Sequence, residues 1–267
     1  MCIVVILYAI GVFCKNYAIL LNSSRGFHNY RQMANVYIFD HILRQNGYEG
    51  DQIAIISYVN QIQDIRNVDK EHVHIDSDLK IQYSDFDVTD DALRVMLNAL
   101  EGNHPKLKDA DESSNVLIYM NGHGNESFLK FGSIHFMTKD DLMCRVVKLA
   151  SRVGKVLLLV DTCQADALID RDVLPSNVFA IATSKIKQSA ISTFESSVLF
   201  TNTVDNFSYF FFMRAQRGIG RDDKLIDVFS DLSKEPIQSE LVFSNNPMFN
   251  YGDFFFQNLM FELLPFK

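Results

Sequence analysis

The sequence predicts an α/β fold: a mostly parallel sheet flanked by helices on both faces. Three observations predict it. Short apolar runs recur at residues 18–21, 53–56, 116–120, 156–160 and 178–182. Runs of that length, bounded by turn residues, suit strands buried on both faces. Stretches with apolar residues at helical spacing lie between most of them, so strands and helices alternate and the helices cover a parallel sheet. Finally, two runs end abruptly in reactive residues. One leads into Asn121-Gly122-His123-Gly124 and the other into Asp161-Thr162-Cys163-Gln164. Open α/β sheets place their sites at the carboxyl edge of the strands.

Composition sets the limits. The chain has 267 residues, enough for one large domain, and 48% of them are apolar, as in a globular chain. Lys and Arg number 25 against 33 Asp and Glu, giving a formal charge of −8. That balance argues against nucleic acid as a partner, which wants a basic face. Residues 1–14 form an apolar run shorter than the ~20 residues that span a bilayer. The run suits the core of a secretory signal, so residues 1–16 are expected to be a signal peptide and 17–267 a single catalytic domain. Cys2 and Cys14 fall in that leader, which leaves Cys144 and Cys163 and no disulfide framework. Cys144 sits in a helical pattern and reads as a small buried apolar residue. The aromatic stretch at 253–266 is too short to cross a membrane and reads as core.

The elements follow in order. Residues 18–21 are the first strand, closed by the polar turn 22–26. A helix is expected over about 29–46, with Tyr30, Ala34, Tyr37, Ile38, His41 and Ile42 on one face and Gly47 as its stop. Residues 53–56 are the second strand, and 60–71 a polar loop. His72, Val73, His74 and Ile75 look extended and pair as a hairpin with 79–83; the two histidines read as surface residues. Thr89-Asp90-Asp91 opens a helix through a capping hydroxyl and an acidic first turn. Leu93, Met96, Leu97 and Leu100 form its apolar face, and Gly102 ends it. After a surface loop at 103–115 comes the histidine strand. Thr138-Lys139-Asp140-Asp141 then opens a helix with Leu142, Val146, Leu149 and Ala150 inward, followed by the cysteine strand. The strand at 178–182 ends in Thr183-Ser184, and a polar loop covers 185–197. Helices are expected around 207–213 and through Leu225, Val228, Phe229 and Leu232.

A thiol needs a neighbouring base to become a thiolate, and imidazole can serve. Cys163 follows a buried strand and is read as preceding a helix start, whose dipole favours thiolate. His123 lies between glycines, which permit a sharp turn and close approach to a substrate. The N–H groups of Gly124 and Cys163 are candidates for an oxyanion hole. Singly, each residue reads as a buried thiol or a turn histidine; together, at the ends of successive strands, they read as a Cys163–His123 dyad for acyl transfer. No phosphate-binding loop, dinucleotide fingerprint or Gly-x-Ser-x-Gly elbow is present.

The combination of Asn29-Tyr30-Arg31, residues 117–124 through His123, Phe128-Leu129-Lys130-Phe131 and Asp161-Thr162-Cys163-Gln164 resembles the catalytic subunits of the glycosylphosphatidylinositol (GPI) transamidase. These are legumain-like cysteine enzymes with a caspase-like fold. The resemblance covers about residues 17–254. It implies a three-layer caspase-like fold and cleavage of the C-terminal signal of precursor proteins through a thioester on Cys163. The acyl group would pass to the ethanolamine amine of a GPI lipid anchor. By analogy Asn29 orients His123, and Ser184 lines the pocket for a small attachment-site residue. The implied setting is the lumen of the endoplasmic reticulum, with membrane attachment through other transamidase subunits. No cofactor or metal is expected, since Lys80 and Gln82 stand where relatives carry an acidic pair that helps hold calcium. Gln63 stands near where relatives carry a cysteine linked to a partner subunit, so no such link is expected. Lys187-Gln188 replaces a Gly-Glu pair near the pocket. A legumain-like endopeptidase shares the dyad, with water resolving the thioester. A non-catalytic scaffold is the third reading.

Overall fold

The computed structural model describes residues 15–244 and 248–257. The expected leader therefore falls outside the described residues apart from Lys15 and Asn16, as does the end of the aromatic tail. Asn16 is buried, and its Nδ2 donates to Phe256 O at 2.8 Å.

Six strands form the central sheet. In chain order they are β1 (Tyr17–Asn22), β2 (Ile53–Ser57), β5 (Asn115–Asn121), β8 (Lys155–Asp161), β9 (Val178–Ala182) and β12 (Val242–Phe243). Their spatial order is β12-β9-β8-β5-β1-β2; the first five in the chain run parallel and β12 pairs antiparallel with β9. The intervening labels belong to short hairpins: β3 (Val73–His74) with β4 (Lys80–Ile81), β6 (Phe128–Phe131) with β7 (His135–Thr138), and β10 (Glu195–Ser196) with β11 (Thr201–Asn202). Helices α1 (Tyr30–Gln45), α4 (Asn206–Gln216), α5 (Leu225–Leu232) and α6 (Gly252–Phe255) supply one core, and α2 (Ala92–Leu100) and α3 (Lys139–Ala150) the other.

The pleat sorts alternate strand residues between these layers. Leu117, Tyr119, Leu157 and Leu159 join the first core, whereas Val116, Ile118, Val156 and Leu158 join the second. This explains why the strands read as unbroken apolar runs. On the first face Phe39 stacks between Tyr119 and Phe211, with centroids 3.9 and 5.1 Å away.

Several expectations need correction. Helix α1 does not bury one face: Gln32, Asn35, Asp40, Val36 and Phe39 are buried beside the expected residues, and His41 is only half-buried. The helix packs both on the sheet and against α4, so tertiary packing overrides its weak periodicity. In α2 the cap is the Asp91 carboxylate, accepting from Arg94 N at 3.1 Å, and Ala92 and Ala99 are buried where Leu93 and Leu97 are only partly so. Cys144 is exposed, because it lies on the outer side of α3. His72 and His74 are not free surface residues: both meet the Asp69 carboxylate, at 3.3 and 3.1 Å, and His74 is buried. The Lys80 ammonium joins the same carboxylate at 2.7 Å and, as the main cause, holds its pKa well below the usual range. The hairpin β6–β7 has no counterpart in the elements the sequence predicts. Helix α3 starts after Thr138 as the sequence indicates, and there Thr138 and Asp141 form a capping box. No helix among the described residues is long and apolar enough to cross a membrane.

Candidate active site

Strands β5 and β8 are neighbours, and their register pairs Asn121 with Asp161. His123 and Cys163 therefore stand two residues beyond the same paired position, on strands about 4.8 Å apart. Both leave the sheet at its carboxyl edge.

The turn after β5 requires glycine. Gly122 has φ +151°, and a Cβ there would collide with Ser23 Oγ. Gly124 packs against the cysteine loop: a Cβ would meet Thr162 Oγ1 at 2.6 Å and Cys163 O at 3.0 Å. Thr162 Oγ1 in turn donates to Gly122 O at 2.9 Å, tying the two loops together. Gly122→Ala is expected to destabilise the chain by roughly 2–4 kcal/mol, combining backbone strain with overpacking. Chemical denaturation checks this, and a loss below about 0.5 kcal/mol would contradict it.

Downstream, Lys130 N donates to His123 O at 2.7 Å and Asn125 N to Phe128 O at 3.0 Å. The β6–β7 hairpin thus clamps the histidine loop. Gly124 faces Leu129 between those two bonds, so its own N–H takes no part in this ladder.

Asn29 closes the constellation. It is buried just ahead of α1, and its Oδ1 lies 2.9 Å from His123 Nε2. Its Nδ2 donates to Arg25 O at 2.6 Å, which fixes which end of the amide is oxygen. Nε2 must therefore carry the proton, leaving Nδ1 as the basic nitrogen. Partial desolvation, with the positive charges of Arg31 and Lys130, pushes the imidazole pKa below its usual value. It is then neutral at pH 7, as a base for a thiol must be. An NMR titration of His123 in a Cys163→Ala chain should give a midpoint below 6.5, moving upward in Lys130→Gln. A midpoint above 6.5 would contradict this electrostatic account.

Cys163 is half-buried. A regular helix does not follow it: Gln164 is left-handed (φ 54°) and leads into a single 3-10 turn, Ala165–Leu168. The expected dipole is correspondingly reduced, since only a longer helix aligns enough peptide units. The loop is held by side chains instead. Ser184 is fully buried; its hydroxyl donates to Thr162 O at 2.6 Å and accepts from Ala165 N at 3.0 Å. Both functions of the Ser184 hydroxyl are thus engaged in bracing the cysteine loop. Gln188 O accepts from Gln164 N at 2.8 Å, and Gln164 Oε1 from Lys187 N at 3.0 Å.

Sequence reasoning missed the polar network beneath the edge. Asp161 is buried and accepts from Tyr119 Oη and Thr183 Oγ1, both at 2.7 Å, and from Ser208 Oγ at 3.2 Å. Burial, then the nearby Asp205 charge, pushes its pKa up to about 7. Asp205 is bound by Arg31 Nε at 3.0 Å and Asn35 Nδ2 at 2.6 Å. Burial raises the Asp205 pKa and the Arg31 charge opposes the rise. Arg31 and Asp205 lie far apart in sequence, so only the fold joins them. Among the described residues no group of three or more His, Cys, Asp or Glu is arranged to hold a metal ion.

The family model for the peptidase C13 family matches residues 16–243. The chain belongs to the peptidase C13 family. The C13 match spans every strand of the central sheet and both reactive loops. The GPI-anchor transamidase of Saccharomyces cerevisiae is 27% identical over 255 residues, 87% of this chain and 61% of that protein. That of Schizosaccharomyces pombe is 29% identical over 209 residues, 73% and 55% of the two chains. That of Homo sapiens is 26% identical over 210 residues, 73% and 53%. This C13 chain therefore spans between half and two thirds of the length of these curated relatives. Its fold is caspase-like: caspase-1 from Spodoptera frugiperda superposes with a TM-score of 0.54 at 9% identity, covering 92% of this chain and 93% of that one.

Proposed function

We propose that this C13 chain is the catalytic part of a GPI transamidase, and that Cys163, His123 and Asn29 carry the acyl transfer. The observation that carries the reading is the 2.9 Å contact of Asn29 Oδ1 with His123 Nε2. It leaves Nδ1 basic on a loop that packs through Gly124 against the loop carrying Cys163. The Cys163 thiol passes its proton to His123, and sulfur attacks the carbonyl at the attachment residue. The Gly124 and Cys163 N–H groups receive the developing oxyanion. As the C–N bond breaks, His123 returns the proton to the departing amine, leaving a thioester. The ethanolamine amine of the GPI lipid anchor then attacks, forms the amide and regenerates the thiol. Ser184, fully buried, does not line the pocket as the resemblance implied; it acts by holding the cysteine loop in place. The relatives bear the name GPI-anchor transamidase, which supports precursor proteins with GPI signals as substrates. In this reading the protein acts in the lumen of the endoplasmic reticulum and reaches the membrane through other transamidase subunits. No nucleic acid takes part.

The test uses membranes containing the chain and its natural partners, a GPI-signal precursor, and hydrazine as acceptor. Mass spectrometry should find a hydrazide at the attachment residue, lost in Cys163→Ala. A product that is only the free acid would replace transfer with hydrolysis, the endopeptidase reaction. No Cys163-dependent product at all would leave the chain a scaffold.

A further inference from the structure

Strand β2 forms one margin of the sheet, and its outer edge is only partly closed. Ala18 N donates to Gln52 O at 2.9 Å. In the parallel register that pairs Ala18 with Ile53, this directs the backbone groups of Gln52, Ala54 and Ile56 toward β1. Those of Ile53, Ile55 and Ser57 then point outward. The Ile53 carbonyl is capped by the Lys106 ammonium at 2.7 Å, and the Ser57 carbonyl by Thr89 N at 3.0 Å. Between the two caps, the N–H and C=O of Ile55 meet no partner among the described residues. Ile55 is also the most exposed residue of β2, at 9% against 1% or less for its neighbours in the strand.

A groove of about 450 Å³ opens at this point. Ile55, Phe86, Val88 and Val95 line it with apolar surface, and Asp85 and Asp87 line the wall that runs past the edge. Both aspartates are exposed. The basic groups nearby do not offset them fully. The Lys106 ammonium is committed to the Ile53 carbonyl, and burial lowers its pKa. His104 accepts from Lys106 N through Nδ1 at 3.2 Å, and burial pushes its pKa down as well, so it is neutral. The groove thus combines an unpaired edge amide and carbonyl, apolar walls and net negative charge.

We propose that this groove docks an extended, basic segment of a partner protein by strand addition at Ile55. An open edge is a template for pairing: main-chain bonds hold the segment, and pockets read alternate side chains. Lysine or arginine side chains on the segment meet Asp85 and Asp87, and aliphatic ones face Phe86 and Val88. The groove lies at the β2 edge, away from the β5–β8 seam that carries His123 and Cys163, so the inference does not depend on the acyl-transfer reading.

The test uses the full chain and a short synthetic peptide of alternating valine and lysine. A second peptide is N-methylated on alternate backbone amides, which keeps charge and side chains but blocks pairing. The first peptide should bind and slow exchange of the Ile55 amide about tenfold or more, and the methylated one should do neither. Asp85→Asn with Asp87→Asn should weaken binding by roughly three- to tenfold, in line with exposed charge pairs. Equal binding of the methylated peptide, no binding of either, or an Ile55 amide already strongly protected in the free chain would each overturn the proposal.

Discussion

His123→Ala is expected to lower hydrazide formation by roughly 10⁴-fold or more, and adding Cys163→Ala should cost little further. Residues that act as one unit lose their whole effect when either is removed. The expectation rests on the 2.9 Å Asn29–His123 contact and on the register that places His123 and Cys163 at equivalent positions beyond β5 and β8. Single-turnover assays in membranes containing the chain would measure it. The supporting pattern is a double variant close to His123→Ala alone. Two large and independent losses would mean that thiol and imidazole do not cooperate. His123 lies at the accessible mouth of the site, so its replacement should leave folding stability within about 0.5 kcal/mol. That separates a catalytic loss from an unfolded chain.

Asp161 should produce the second large effect, this time on stability. Its carboxylate receives hydroxyls from β5 (Tyr119), the end of β9 (Thr183) and α4 (Ser208). Asp161→Ala leaves those hydroxyls without their acceptor in a dry site, a loss of about 3–5 kcal/mol. Asp161→Asn should lose less and also reveal a pH signature. Burial raises the folded pKa from 3.8 to about 7. Between those values the folded chain holds the proton that the unfolded chain has lost. The contribution of this group is therefore fully present below pH 3.8 and is lost as pH rises through 7. Denaturation from pH 4 to pH 8 should show wild type losing stability relative to Asp161→Asn as pH rises. A difference independent of pH would show that Asp161 does not titrate in that window.

Much of the architecture was legible because strand and helix periods write themselves into residue order. The five parallel strands, the stops at Gly47 and Gly102 and the start of α3 at Thr138 all depend on near neighbours. Burial was less legible where several elements converge. Helix α1 carries Asn35 and Asp40 inward because partners satisfy them, Asp205 for Asn35 and both Arg44 and Ser84 for Asp40. Cys144 shows the reverse: its residue type favours burial, but its place on α3 turns it outward.

By itself the sequence determined the α/β class and the two reactive residues at strand ends, because an apolar run that stops at His or Cys is a local pattern. The resemblance added Asn29 and the caspase-like topology. The folded arrangement alone shows which His123 nitrogen carries the proton, that Ser184 braces the cysteine loop, and that Arg31, Asp205 and Asp161 meet under the site. It also decided that Ile55 faces an open groove. Each of these depends on distances between residues far apart along the chain, and hydrogen bonds and charges act through space.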